Sequence, residues 1–488
     1  MQQVYHSQQI QAWEQHWFAQ GNSALGLMQQ MAWSMAQQID VYLGQKKQHN
    51  IAVWCGQGNN AGDGYYLAAY LMQLGYNVEI YAMQGGDSAS LKQAYLYAQT
   101  KNIPIYPHFN LQKKYDCHID ALFGIGLNRL LDETWQGVIH HFNHQSGLKI
   151  SIDIPSGLDA NTGQPQPYAV KADLTLTGLG YKAGLFTGQG KEYVGDVRLI
   201  SLIPLHENLS PLAYLTPQKV HLPQRKAFGH KGDYGHVLII GGHANMGGAV
   251  IMAAEAAFAT GAGKVTIVCD AKHHIAILAR APNIMLRDIN QISDQEQKAL
   301  LAQVDAVSFG MGLGRDQWAQ KTYQKWVDEI LQSPLSAVVL DADALWFLAQ
   351  NPKILPSHIY LTPHAGEAAK LLGITSPEIE QDRIAAIRQL QQKYAGNWVL
   401  KGAGSLILES DKLSICTQGN AGMGTGGMGD VLSGMLAGLK AQLNDEITLA
   451  EVVTLHAQAG DILAEKGMRG VQAQHMPQAI YQLINLDE

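Results

Sequence analysis

The chain has 488 residues, 47% of them hydrophobic and 15% charged, with Lys+Arg 34 against Asp+Glu 41 for a net charge of −7. That make-up excludes a disordered chain, and the length is too great for one ordinary core, so two domains are expected. No long basic run is present, which argues against a nucleic-acid partner; an anionic ligand would have to rest on helix N-termini and backbone N–H groups, with or without a bound cation.

The opening stretch MQQVYHSQQIQAWEQHW has neither the basic nor the apolar segment of a secretory signal. No apolar run approaches the roughly 18 residues of a membrane span, so no membrane association is expected. Cys55, Cys117, Cys269 and Cys416 lie far apart and form no C-x-x-C. They read as buried free thiols in a reducing compartment, and a cytoplasmic location is expected.

Residues 7–43 read as two helices, with Met28, Met31, Met35 and Ile39 forming an apolar stripe suited to core packing. Then short apolar runs begin to alternate with helical patterns. IAVWC (51–55) is a strand, followed by a Gly/Asn turn and a helix ending at Gly75. NVEIYAM (77–83) is a strand, 88–101 a helix, 116–123 a strand, 133–143 a helix and KISIDIP (149–155) a strand. This alternation predicts a parallel α/β sheet. Residues 201–223 carry Pro204, Pro211, Pro217 and Pro223 without periodicity and read as the linker region. Beyond it HVLIIGG (236–242), KVTIVCD (264–270), DAVSFG, AVVLDAD, IYLTP and WVLKGAGSLILES supply the strands of a second α/β unit.

In parallel α/β sheets, ligands bind outside the carboxyl ends of the strands. Three segments of the first unit place unusual residues there. GQGNNAGDG (56–64) opens a helix after a strand, DALFGIGLNRL (120–130) begins with a strand-end Asp and a Gly turn, and IDIPSGLDA (152–160) puts Asp153 before a Pro-Ser-Gly turn. Each Asp alone could be a turn cap. Asn60, Asp120 and Ser156 offer only hard oxygen ligands, which suit a group I or II cation rather than zinc.

Taken together, these segments resemble the signature segments of the NAD(P)H-hydrate epimerase domain, in the family's order, over most of residues 1–211. The resemblance implies a Rossmann-like parallel sheet with helices on both faces. It implies that the hydrated NADH or NADPH is bound by Asn59, Asn60, Ala61, Gly62 and Asp63 and by Gly124, Ile125, Gly126, Leu127, Asn128, Arg129 and Leu130. It also implies potassium on Asn60, Asp120 and Ser156, and Asp153 as the acid/base in contact with the hydrate.

In the second unit, Gly424, Gly426 and Gly429 satisfy G-x-G-x-x-G, but a dinucleotide fingerprint needs a strand after the helix, and here another helical pattern follows. Successive Gly N–H groups at a helix N-terminus instead suit a phosphoryl group in transfer. Asp430, just inside that helix end, can take the proton of an attacking hydroxyl, and the helix end would favour its ionised form. An Asp at a helix start also reads as an ordinary cap. GTGGMGDVLSG (424–434), with GGHANMGGAV (241–250), GMGLG (310–314), LTPHAGE (361–367) and KGAGS (401–405), resembles the ADP-dependent NAD(P)H-hydrate dehydratase domain of the ribokinase-like group. That resemblance implies a ribokinase-like α/β sandwich, hydrate contacts from Ala249, Gly312, His364 and Asp430, and an adenine nucleotide with magnesium held by Lys401, Gly402, Ala403, Gly404, Ser405 and Gly429.

The expected organisation is an epimerase domain over 1–211, a linker over 212–218 and a dehydratase domain over 219–488. The expected function is interconversion of the R and S hydrates and ADP-driven dehydration of the S form, giving AMP and phosphate, by a cytoplasmic homo-oligomer. The alternative is a ribokinase-like small-molecule kinase with a non-catalytic N-terminal binding domain.

Overall fold

The computed structural model describes residues 2–44, 49–83, 85–109, 113–127, 129–206 and 208–485. They divide into two compact units, one spanning Gln2–Tyr214 and the other Leu215–Glu488.

The first unit is built on a parallel sheet of seven strands: β1 (Asn50–Cys55), β2 (Asn77–Ala82), β3 (Ile105–Tyr106), β4 (Cys117–Ala121), β5 (Leu148–Ile152), β6 (Leu174–Gly178) and β7 (Asp196–Ile200). Their order is β3-β2-β1-β4-β5-β6-β7. The order reverses between β1 and β4, so the crevice at their carboxyl ends is the natural ligand site. Strand β1 is buried on both faces, as parallel strands are. Ile51, Val53 and Cys55 join the core formed with helices Ala24–Tyr42 and Asn59–Gln73, while Ala52 and Trp54 join the opposite cluster with Trp135, Ile139 and Phe142. The methionine stripe is core as expected: Met28, Met31, Met35 and Ile39 are all buried.

Strands β6 and β7 are absent from the sequence reading. They are joined by a loop with 3-10 turns instead of a helix, so the strand–helix alternation gives them no signal. The segment expected to be linker also contains a strand, Ala213–Leu215, which pairs antiparallel with Gln3–Tyr5 (Val4 opposite Ala213). Gln3–Tyr5 in turn pairs with Tyr181–Lys182, Tyr5 opposite Lys182.

The second unit carries seven parallel strands, β8 (His236–Ile240), β9 (Lys264–Cys269), β10 (Met285–Asp288), β11 (Ala306–Phe309), β12 (Ala337–Leu340), β13 (Leu355–Leu361) and β14 (Ala395–Leu400). The antiparallel strands β15 (Leu406–Glu409) and β16 (Lys412–Ile415) extend the sheet, giving the order β10-β9-β8-β11-β12-β13-β14-β15-β16. Helices Gly247–Ala259 and Met428–Leu443 pack closely on each other, because Gly434 and Gly438 of the second sit against Ala253 and Ala257 of the first, where any side chain would collide. All four cysteines are buried and free. Among the described residues no helix is long and apolar enough to cross a membrane.

Candidate active sites

The first site lies at the sheet's reversal point. Strand β1 turns at Gly56, whose α-carbon faces the Leu122 carbonyl too closely to allow a side chain, and the chain then enters helix Asn59–Gln73. This helix is capped by Gly58 with no side-chain bond, and of its first-turn N–H groups Ala61 donates to the Gly58 carbonyl at 3.0 Å. A cavity of about 880 Å³ opens there. Asn59, Asn60, Asp63, Gly124, Ile125, Gly126, Leu127, Arg129 and Asp153 all line it. Ala61 is fully buried in the core and Gly62 backs onto Met28, so neither presents a side chain to the cavity. Leu130 is exposed, away from the lining. Asn128 lies outside the described residues.

Asp153 follows β5 with φ 66°, a left-handed conformation that costs a non-glycine residue on the order of 1–3 kcal/mol. Its Oδ2 accepts from the Ile125 N–H at 2.9 Å. Its Oδ1 accepts from the Lys182 ammonium at 2.8 Å. Lys182 is completely buried and also donates to Thr177 Oγ1 (2.9 Å) and the Gly178 carbonyl (2.8 Å). The kink therefore holds the Asp153 carboxylate between a buried cation and the Gly124–Gly126 turn.

Asp120 and Ser156 sit behind the cavity wall, fully buried. Asp120 Oδ1 accepts from Ser156 Oγ (2.5 Å) and Leu122 N–H (3.1 Å), and its Oδ2 from Ser156 N–H (2.8 Å) and Ser151 Oγ (2.9 Å). Burial pushes the Asp120 carboxyl upward, and the Ser156, Leu122 and Ser151 bonds only partly offset it. The Phe123 N–H donates to Ser156 Oγ at 2.8 Å, and the next residue, Gly124, lies against Asn60, which ties the three oxygen donors to one turn. Asn60 is buried, and its Nδ2 has no hydrogen-bond partner among the described residues. An all-oxygen set with one carboxylate fits a hard cation, while the unpaired Asn60 amide nitrogen, a donor, is free for an acceptor on a ligand. No group of three or more His, Cys, Asp or Glu that could hold a metal occurs among the described residues.

The second site is centred on Lys401, at the end of β14. Its Nζ lies 3.1 Å from Asp341 Oδ1 and 3.8 Å from Glu367 Oε2. Gly429 is packed so close that a side chain there would lie 2.9 Å from the ammonium and 3.6 Å from Asp341 Oδ2. Ser433, one turn further along the same helix, donates to Asp341 Oδ2 at 2.7 Å. His364 caps helix Ala365–Leu372, accepts from the Gly366 N–H at 2.9 Å, and bridges Lys401 backbone to backbone. The Gly402–Ser405 turn is closed by Ser405 Oγ donating to the Gly402 carbonyl at 3.0 Å. Ala249 and Gly312 meet at the mouth of helix Gly247–Ala259; a methyl group on Gly312 would lie 3.3 Å from Ala249 Cβ.

Asp430 stands just inside helix Met428–Leu443, three residues after the cap, which is Gly427 in the left-handed conformation (φ 93°), so the capping alternative falls. One expectation about Asp430 is corrected: the helix end does not leave it readily ionised. Burial pushes its carboxyl up to about 7, the negative Asp341 adds to the rise, and Lys401 opposes it. The helix end supplies only about 0.3–1 kcal/mol, less than burial beside a like charge demands. For Asp341 itself, burial raises the carboxyl, but the Lys401 ammonium and the Ser433 and Thr362 hydroxyls outweigh it and hold it below the ordinary range. Lys401 is correspondingly held up by Asp341 and Glu367 against its own burial.

Asp341, Glu367, Ser433, Lys182 and Glu14 are not singled out by the sequence motifs. Asp341 carries a signal, because it stands at the carboxyl end of a strand, directly after β12, much as Asp120 stands near the end of β4. Lys182 and Glu14 carried none, since nothing local marks a residue whose partner is far along the chain.

The NAD(P)H-hydrate dehydratase family profile matches residues 237–482, and the profile of the YjeF-related protein N-terminus matches residues 24–184. The bifunctional NAD(P)H-hydrate repair enzyme Nnr of Coxiella burnetii is 38% identical over 450 residues, covering 89% of this chain and 90% of that protein. The protein of the same name from Escherichia coli is 35% identical, covering 89% of this chain and 84% of its own length. Among solved structures, a ribokinase-like superfamily protein of Enterococcus faecalis matches 54% of this chain and 91% of its own, at 31% identity and a TM-score of 0.50. With both units matched, each in its place, the chain belongs to the bifunctional NAD(P)H-hydrate repair enzyme family.

Proposed function

We propose that the first unit, from the start of the chain to about residue 211, interconverts the R and S hydrates of NADH and NADPH. The second unit, from about residue 219 onward, dehydrates the S hydrate with ADP, giving AMP and phosphate. The observation that carries this reading is the pairing of two different acid sites in one chain: Asp153 lining the cavity of the first unit, and Asp430 in the first turn of a helix that follows a Gly-rich run in the second.

In the first unit the hydrate occupies the cavity, with its phosphates at the Asn59–Asp63 helix end and the Gly124–Leu130 turn. Asp153, fixed by Lys182 and the Ile125 N–H, moves a proton at the hydrated ring carbon. Asn60, Asp120 and Ser156 would hold potassium, which supplies positive charge beside an anionic substrate in an acidic protein. In the second unit Lys401–Ser405 and Gly429 hold the ADP, which brings magnesium, while Ala249, Gly312 and His364 position the hydrate. Asp430 takes the hydroxyl proton as the oxygen attacks the transferred phosphoryl group. A carboxyl poised near 7 is matched to that task. The ester C–O bond then breaks, inorganic phosphate leaves, the neighbouring ring carbon gives up a proton to solvent, and the ring double bond is restored. Buried free cysteines support a cytoplasmic enzyme, which we read as a homo-oligomer.

The test is to incubate the protein with ADP and a mixture of R and S hydrate and follow the return of reduced-nicotinamide absorbance, in a potassium salt and in a bulky organic cation salt. Full recovery of the pool in one phase is expected with potassium, and recovery of the S fraction followed by a slow phase without it. No recovery with ADP, and phosphorylation of an unrelated small alcohol instead, would favour the kinase alternative.

A further inference from the structure

We propose that Glu14 is the proton donor of the first unit's cavity, working on the hydrate opposite the base Asp153; the inference rests on the epimerase reading above. Glu14 is the only acidic residue of helix Ser7–Ala19, whose remaining polar positions are mostly Gln. It sits four residues after the buried Ile10 and beside the buried Trp13, so its carboxyl is on the inward face of the helix. It lines the same cavity as Asp63, Asp153 and Lys182. No hydrogen bond or ion pair with another described residue holds it, which removes a structural salt bridge as its role. The cavity is built to receive polar groups, since Asn60, buried in its lining, keeps an amide nitrogen without a partner.

The chemistry needs a second group. The hydrated carbon bears a hydroxyl and the ring nitrogen. A base takes the hydroxyl proton, a C=O bond forms, and the C–N bond breaks with its electron pair going to nitrogen, which must receive a proton. Rotation presents the other face of the carbonyl. Nitrogen then attacks, its proton returns to the donor, and the base gives its proton back to oxygen. Atoms and electrons balance with no co-reactant. Two protons move at two atoms, so one carboxyl must start ionised and one protonated. Asp153 is engaged as an anion by the Lys182 ammonium. Glu14 is the group in the opposite state: burial and the Asp153 charge push it up to about 7, with Lys182 opposing. The other charged groups facing it are Asp63 from helix Asn59–Gln73, itself pushed well up by burial, and Arg129 from the turn after β4.

Glu14→Gln, assayed with R hydrate and excess ADP, is expected to lose epimerisation by roughly 10²–10⁴-fold, with KM little changed and S-hydrate dehydration at the parent rate. A general acid works while protonated, so the parent's epimerisation should fall as the pH rises past about 7. That limb should survive, at lower rate, in Glu14→Asp and vanish from the residual activity of Glu14→Gln. Epimerisation by Glu14→Gln close to the parent rate, or the same limb in that variant, overturns the inference and gives the limb to Asp63. If Glu14→Gln fails to fold, the parent's pH profile decides, and a flat profile above neutrality overturns it. A parent that leaves the R hydrate untouched overturns the epimerase reading itself, an outcome distinct from an active parent matched by Glu14→Gln.

Discussion

The two units solve the same electrostatic problem in opposite ways. In the first, the cavity carboxylate Asp153 has its own cation: Lys182 is buried, bonded to that carboxylate, and satisfied by Thr177 and Gly178 on its other sides. In the second, the cation belongs to a different acid. Lys401 pairs with Asp341, so Asp430 keeps only a share of its field and feels the Asp341 charge besides. A carboxylate given a dedicated ammonium is pinned in place. A carboxylate left beside an already paired acid is lifted toward neutrality, where it exchanges protons at working pH.

The largest expected break of this contrast is Asp430→Asn. The amide keeps the shape and loses the proton acceptor, so dehydration of S hydrate should fall roughly 10²–10⁴-fold while R–S interconversion continues, as resolved chromatography of the two epimers would show. Dehydration within a few-fold of the parent would reduce Asp430 to a structural residue.

Next is Asp153→Ala, which should be costly for a reason the second site lacks. It strands the buried Lys182, and breaking such a pair costs about 3–5 kcal/mol. Urea unfolding of the first unit should show that loss, and Asp153→Ala with Lys182→Met should recover much of it. Where the single variant is folded, a mixed pool should be consumed in a fast phase equal to the S fraction and a slow phase set by spontaneous epimerisation. An Asp153→Ala protein as stable as the parent would mean that the ion pair contributes nothing.

The smallest effect concerns pH. A general base works when ionised, so dehydration should rise with pH through about 7. Asp341→Asn removes a charge that raises Asp430 and frees Lys401 to lower it. The rising limb should therefore move toward acid, whatever happens to its height. A pH profile of S-hydrate dehydration that stays in place would uncouple the two carboxyls.

Much of both sites was legible in the sequence because parallel α/β sheets bring strand ends to one edge. Asp120, Asp153 and the glycine turns could be placed by that rule alone. Asp341, in the run LDAD (340–343), obeys the same rule, but no glycine motif follows to mark it. The helix-end argument for Asp430 failed on magnitude, since a surface dipole effect is small beside burial near a like charge. Lys182 and Glu14 could not be read at all. Their roles depend on side chains meeting across a cavity, and neither periodicity nor spacing encodes such meetings.

The short strand Gln3–Tyr5 has a consequence for how the enzyme matures on the ribosome. Its partners are Tyr181–Lys182 and Ala213–Leu215, about the whole length of the first unit away. Contacts of that sequence separation form late, because the intervening chain must first be closed. During synthesis the leading strand waits unpaired until those segments emerge. Register on Tyr181–Lys182 is then set late, next to the Lys182 whose ammonium holds Asp153. Breaking that pairing, as with Val4→Pro, would thus be felt first in R–S interconversion, and little in dehydration.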